Sequence, residues 1–391
     1  MISDYTNSRL LIEQHEALVL APYAAMSGNS RGRQFPEPEH EYRSCFQRDR
    51  DRVIHSAGFR RLKHKTQVFA SPDDDHFRTR LTHTMEVAQI SRTIARALRL
   101  NEDLAETVAL VHDLGHTPFG HAGEDALRHI LKDDGGFNHN AQSLRVVDYI
   151  EDRYPNFRGL NLSYETREGI VKHETDYDMP VYGDFEPNLR PTLEGQLVNF
   201  ADEIAYNAHD VDDGYFSKYL SITDLLEVPI IAKLYEQSQR AYPDLSPRKR
   251  HYHLIRLLIN WGVSDIITTS ARRLEEFHIK TFADVVNCPE NIVRFSDEAK
   301  PAGRELKKFL FDKLYRHPRL VEINQMAFKI ISELFDAYTA NPELLPQKFR
   351  RRLYDQPPKT IMKDYIAGMT DRFALQEYER ILGGPVPDMK T

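Results

Sequence analysis

Asn101-Glu102-Asp103-Leu104-Ala105-Glu106-Thr107-Val108-Ala109-Leu110-Val111-His112-Asp113-Leu114-Gly115-His116-Thr117-Pro118-Phe119-Gly120-His121-Ala122-Gly123-Glu124 is the stretch on which the reading of this chain turns. Asn101 is a good N-cap. Leu104, Val108, Val111 and His112 recur at helical spacing, which predicts an amphipathic helix. Gly115 can close it in a left-handed conformation, so His112 and Asp113 are expected in its last turn. The following loop needs Gly115, Pro118 and Gly120 for tight turning. A further helix is expected after it, with Glu124 in its first turn and Ala126, Leu127, Ile130 and Leu131 facing inward.

Working outward, His83, Val87, Ile90 and Ile94 share one helical face, which puts a histidine on an apolar surface, with Thr82 as N-cap. Thr192 opens another helix carrying Asp202, Tyr206, His209 and Asp210. Their spacing places them on one side. Leu197, Val198, Phe200, Ala201, Ile204 and Ala205 flank that polar stripe, so it is expected to face a cleft rather than solvent. Residues 176–191 read as a long loop, and residues 27–33 as a mobile one. Helical patterns continue to the C-terminus, strand signals are few, and there is no internal repeat. The expected architecture is all-α: an N-terminal arm and loop over 1–40, a core over 41–219, and a helical region over 220–391 packed on that core.

The chain has 391 residues, 41% of them hydrophobic, enough for a substantial core. A net charge of −7 argues against a whole surface that binds nucleic acid or anionic membrane. Two cysteines, Cys45 and Cys288, fit a reducing compartment. There is no signal-peptide pattern and no apolar run of spanning length, so a cytoplasmic protein is expected.

The chemistry lies in His83, His112, Asp113 and Asp202. Two imidazoles with two carboxylates suit a divalent metal: Mn²⁺, Fe²⁺, Co²⁺, Ni²⁺ or Zn²⁺, with Mg²⁺ also considered. A metal with room left for water can supply a nucleophile at neutral pH. His116, His121 and Glu124 are candidate acid/base groups, so the residues point to a metal-dependent phosphohydrolase.

The order H…HD…D on helices resembles the HD phosphohydrolase superfamily. More specific are Phe46-Gln47-Arg48-Asp49-Arg50-Asp51-Arg52, Phe59-Arg60-Arg61-Leu62-Lys63-His64-Lys65-Thr66-Gln67-Val68-Phe69, Arg78-Thr79-Arg80-Leu81-Thr82-His83-Thr84-Met85-Glu86-Val87, His112 through Glu124, and Asp364-Tyr365-Ile366-Ala367-Gly368-Met369-Thr370-Asp371-Arg372. Together they resemble the bacterial deoxyguanosine triphosphate triphosphohydrolase-like family, in its shorter type 2 branch. The resemblance implies an HD-domain helical fold with a C-terminal helical extension. It implies metal ligation by His83, His112, Asp113 and Asp202, and an acid/base at His121 oriented by Glu124. Gln67 and Asp210 would grip a 3′-hydroxyl, Tyr206 would pack against C2′ and disfavour ribose, and Arg80 would lie beside the phosphates. Water would attack the α-phosphorus of a deoxynucleoside triphosphate (dNTP), releasing deoxynucleoside and triphosphate. A homo-oligomer and a dNTP effector are further implications.

Other residues keep two readings. His116 can hold a phosphate oxygen, Lys172 is a candidate phosphate contact, and His139 and His173 either touch phosphate or cap helices. Of Arg60, Arg61, Lys63 and Lys65, at least one is expected to meet a triphosphate. The Arg/Asp alternation over 48–52 reads first as a salt-bridged helix surface. Two other functions stay open: an HD phosphodiesterase on a cyclic or tetraphosphate nucleotide, and a nucleotide sensor or single-stranded nucleic-acid binder using Arg31, Arg33, Arg48, Arg50 and Arg52.

Overall fold

Apolar residues spaced by three and four dominate the chain, and its backbone follows that period. In the computed structural model residues 8–68, 77–173, 185–383 and 389 are described. Every regular element among them is helical, and β pairing is confined to isolated bridges. The all-α expectation therefore holds. No helix of the described residues is long and apolar enough to cross a membrane. Most of the loop expected over 176–191 lies outside the described residues.

The chain forms two compact units, each discontinuous: residues 1–54, 83–111 and 161–316, and residues 55–82, 112–160 and 317–391. The C-terminal region is thus divided between them.

In the first unit the Leu193–Phe216 helix packs against the Glu102–Val111, Tyr164–Val171, Pro247–Glu276 and Ala299–Leu310 helices. Thr192 caps it as expected, its hydroxyl accepting from the Gly195 N–H at 3.1 Å. Leu197, Val198, Ala201, Ile204, Ala205, Ala208 and Val211 are buried along it. Each large aliphatic side chain among them contributes about 1.5–3 kcal/mol of burial. The Cys45–Ile54 helix lies on the Glu102–Val111 helix.

Two expectations change here. The 27–33 loop is fastened: the Arg31 N–H donates to Glu165 at 2.7 Å, and the Arg33 guanidinium meets Asp49 at 2.5 Å. The 48–52 alternation is more than surface, since Asp49 and Arg52 are buried. Asp49 also accepts from the Ser163 N–H and hydroxyl (2.8 and 2.6 Å) and from Thr166 (2.9 Å).

In the second unit the Pro318–Ala340 helix packs against the Gly120–Ile130, Pro358–Ala367 and Asp371–Leu382 helices. Leu127, Ile330, Ile331, Leu334, Ile361 and Ile366 form its core. The helix after Asn101 ends at Val111, and His112–Gly115 is a separate 3₁₀ turn. Gly115 is not left-handed. Its requirement is space: a Cβ there would lie 2.2 Å from the His139 carbonyl oxygen. The next helix begins at Gly120, so Glu124 sits just past its first turn. The helix bearing His83 begins at Arg80. Thr82 lies inside it and exchanges hydrogen bonds with Thr79 rather than acting as N-cap.

Candidate functional site

Each unit carries its own polar constellation. In the first unit the Arg80–Ala97 helix presents His83 and Glu86, and the Leu193–Phe216 helix presents Asp202, Tyr206, His209 and Asp210. His83 Nε2 lies 3.0 Å from Asp202 Oδ1. His83 Nδ1 lies 3.2 Å from Nδ1 of the buried His209, whose Nε2 is 2.6 Å from Glu86 Oε2. His173, buried, adds Nε2 at 3.6 Å from Asp202 Oδ2.

The hydrogen-bond network assigns the tautomers. A carboxylate can only accept, so with both imidazoles neutral His209 donates through Nε2 and accepts at Nδ1. His83 then donates through Nδ1. This leaves the His83 Nε2 lone pair facing the Asp202 carboxylate. Two acceptors at that distance repel unless a cation or proton lies between them, so the donor set fits a divalent metal. The chain Glu86–His209–His83 is the kind of outer-shell support that fixes a ligand imidazole.

Further along the same helix, the Tyr315 hydroxyl donates to Asp210 Oδ2 and pairs with the Tyr206 hydroxyl at 2.5 Å. The two rings stack with centroids 6.4 Å apart. Burial, then the Asp210 and Tyr206 neighbours, push the Tyr315 hydroxyl well above its ordinary pKa. Tyr315 was not among the sequence candidates, and nothing local in 311–315 marks it. Lys172, expected at phosphate, places its ammonium on Glu168 Oε1 at 2.7 Å and the Leu189 carbonyl at 2.8 Å.

In the second unit Asp113 is buried, with Oδ1 3.0 Å from His116 Nε2, 3.2 Å from Arg80 Nη1 and 3.4 Å from His112 Nε2. Burial alone would raise its carboxyl pKa, but His112, Arg80 and His116 outweigh that and hold it well below the usual range. Ser143 braces the turn: its hydroxyl donates to the His112 carbonyl and accepts from the Gly115 N–H, both at 2.8 Å.

His116 and His139 stack with ring centroids 3.9 Å apart. His139 Nδ1 is 3.1 Å from Glu124 Oε2, and Arg128 Nη2 is 3.1 Å from Glu124 Oε1. Burial would lift the Glu124 carboxyl, but the His139 bond and the neighbouring imidazoles hold it below the usual range. Burial, Arg80 and His139 drive the His116 imidazole well below the ordinary histidine pKa. His116, Glu124 and His139 offer ligand atoms within 4.8 Å of one another, a buried group of the type that holds metal ions.

His121 is exposed, with its ring 6.2 Å from that of His116. Glu124, expected behind His121, has His139 as a bonded partner. The cap in that segment is Asn138, whose side chain accepts from the Ala141 N–H at 3.0 Å. Among the described residues, half-buried Gln67 has no donor to its Oε1, and the buried Nε of Arg80 has no bonded partner. Lys65 is buried against backbone carbonyls, and Arg61, which is exposed, gives an Nη1 bond to the Gly368 carbonyl.

Comparisons with known proteins identify the family. The HD domain family matches residues 80–207, and the phosphohydrolase-associated domain matches 293–380. A deoxyguanosinetriphosphate triphosphohydrolase-like protein of Geobacter metallireducens is 47% identical over 364 residues, 93% of this chain and 94% of its own length. One from Bordetella pertussis is 50% identical over 370 residues, 93% of this chain and 96% of its own. One from Brucella melitensis is 48% identical over 381 residues, 92% and 95% respectively. With an HD domain, buried His and carboxylate groups and relatives this close over nearly its whole length, the chain belongs to the deoxyguanosinetriphosphate triphosphohydrolase-like family of HD-domain phosphohydrolases.

Proposed function

We propose that this protein hydrolyses a deoxynucleoside triphosphate, dGTP or several dNTPs, to deoxynucleoside and inorganic triphosphate, and that His83, His112, Asp113 and Asp202 together hold the divalent cation it requires. The observation that carries this reading is the pairing of His83 Nε2 with Asp202 Oδ1, 3.0 Å apart, with His209 and Glu86 aligned behind the His83 ring. A divalent cation in that place, Mn²⁺, Mg²⁺ or another transition metal, supplies Lewis-acid polarisation of an α-phosphate oxygen.

The other steps belong to the chain's own groups. Arg80 and His116 hold phosphate oxygens. The buried, unbonded Nε of Arg80 supports this, because an unsatisfied buried donor costs about 1–3 kcal/mol until an acceptor arrives. Gln67 and Asp210 take the 3′-hydroxyl, and among the described residues Gln67 Oε1 has no other donor to accept from. Tyr206, positioned by Tyr315, packs against C2′ and leaves no room or hydrogen bond for a ribose hydroxyl. His121 moves the proton at the 5′-oxygen or at the attacking water, with Glu124 behind it. Lys172 joins the phosphate contacts only by leaving Glu168. Solvent access at His121 suits proton exchange.

A cytoplasmic homo-oligomer with a second dNTP as effector belongs to the same proposal. The test is a product panel of the four dNTPs, singly and in mixtures, with NTPs and cyclic nucleotides alongside, run in ¹⁸O-labelled water with Mn²⁺. The expected result is unlabelled deoxynucleoside with the label in triphosphate. Release of phosphate or pyrophosphate would reject the reaction, and cleavage of a cyclic nucleotide would favour a phosphodiesterase.

A further inference from the structure

The C-terminal motif Asp364 to Arg372 stands far in sequence from every residue assigned above, yet one of its side chains reaches the turn that carries three of them. Asp371 is the first residue of the Asp371–Leu382 helix, where a carboxylate is favoured by the helix dipole. Its Oδ1 accepts the Phe119 N–H at 2.9 Å. Its Oδ2 accepts the Thr66 N–H at 2.8 Å and also the Thr66 hydroxyl. One carboxylate therefore joins the residue before Gln67 to the residue before the helix that presents His121 and Glu124.

Lys65 completes the junction. Its buried ammonium donates to the His116 carbonyl and to the Ala367 carbonyl, the latter at 2.8 Å. Its own carbonyl accepts the Arg80 N–H at 3.1 Å. The joined turn is strained: Phe119 has φ +63° and Gly120 φ +58°. A non-glycine residue in that region persists only where its surroundings over-determine it. A Cβ on Gly120 would sit 3.4 Å from the Gln67 carbonyl oxygen, so the turn and the Gln67 segment pass in close contact.

We propose that Asp371 is a positioning residue: by bonding Phe119 and Thr66 at once, it holds the left-handed 119–120 turn and keeps His116, His121, Glu124 and Gln67 in register. The catalytic consequence rests on the function proposed above; the clamp itself does not. Asp371 touches no substrate in this reading. It acts through backbone amides, and Asn cannot replace it, because an amide offers one acceptor oxygen where the carboxylate uses two.

The test compares Asp371→Asn, Thr66→Val, Thr66→Ser and Glu377→Gln with the wild-type protein. Glu377 lies in the same helix and accepts the Tyr338 hydroxyl at 2.6 Å, so it reports general loosening of that helix. Two readouts are taken: hydrogen–deuterium exchange of the peptide covering 114–124, and kcat and KM for dNTP hydrolysis. Asp371→Asn and Thr66→Val are expected to speed exchange in 114–124. They should lower kcat, by up to about 100-fold for a 1 Å misplacement, with a smaller change in KM. Thr66→Ser restores both readouts and Glu377→Gln leaves both at the wild-type level. Unchanged exchange in 114–124 for both clamp variants overturns the proposal. Faster exchange with wild-type kcat overturns the positioning role. A wild-type protein that releases no triphosphate defeats the proposed function instead, and the exchange readout still decides the clamp.

Discussion

The Cys45–Ile54 helix carries Arg48, Asp49, Arg50, Asp51 and Arg52 in a row, and the stretch from His112 to Glu124 carries three histidines and two carboxylates. Both are dense in titratable groups and both are partly buried, but they meet burial differently. Around Asp49, donors face acceptors: Arg33, Ser163 and Thr166 all give hydrogen bonds to one carboxylate. The other arginines follow suit, with Arg31 on Glu186, Arg50 on Asp103 and Glu106, and Arg52 on Glu37. Around Asp113 and Glu124 the neighbours are mostly imidazoles, stacked on one another and able to act as acceptors themselves. A network closed on itself holds a fold. A network of ligand atoms facing one another is built to be completed by something else. Four of the five arginines that motivated a nucleic-acid-binding reading, Arg31, Arg33, Arg50 and Arg52, are thus paired with carboxylates.

The largest effect that would sharpen this contrast is on turnover. His121→Ala is expected to lower kcat for triphosphate release by roughly 10²–10⁴-fold, the range for a lost acid/base group. Metal content, measured on the same sample, should not change. A wild-type kcat would remove the role assigned to His121.

Asp49→Asn probes the other side. Breaking one partner of a buried ion pair leaves an uncompensated charge and costs about 3–5 kcal/mol. Thermal unfolding should move down accordingly, while kcat per folded molecule stays at the wild-type level. Loss of turnover without loss of stability would erase the distinction between the two networks.

His209→Ala tests whether the imidazole behind His83 tunes a ligand. Removing an outer-shell partner is expected to weaken metal binding by about 10–100-fold. Isothermal titration with Mn²⁺ reads this without any substrate. An unaltered affinity would make Glu86–His209 a packing feature only.

The smallest expected effect concerns pH. Burial, opposed by the bonds from Ser30 and Arg31, raises the Glu165 carboxyl pKa in the folded protein. The folded state therefore keeps a proton that the unfolded state has released, and this stabilisation is lost as pH rises through the folded value. The melting temperature of wild type minus that of Glu165→Gln should be higher near pH 4 than at about pH 8, by roughly 2 °C. A difference that grows with pH would reverse the sign of the argument.

Much of this was legible in the residues. Helical period alone identifies the Leu193–Phe216 face, because its polar stripe is bordered by apolar residues that must be buried. The residue types at His83, His112, Asp113 and Asp202 suggest their chemistry before any fold is known. What could not be read depends on chain segments that meet only on folding. Tyr315 reaches Asp210 from 105 residues away, and Asp371 reaches Phe119 from 252. Nothing local shows that the Glu168 carboxylate and the Leu189 carbonyl converge on the Lys172 ammonium. Gly115 was assigned a backbone conformation, whereas its constraint is the neighbouring His139 carbonyl, a contact no local pattern reports.

The ligand set proposed above has His83 and Asp202 share one cation with His112 and Asp113. It is tested most directly by metal content per chain in His83→Ala and Asp113→Ala proteins, alongside wild type, after loading with Mn²⁺ and removal of free ion. Either substitution alone is expected to abolish tight Mn²⁺ binding and triphosphate release together. Tight binding that survives either change, with hydrolysis intact, would contradict it.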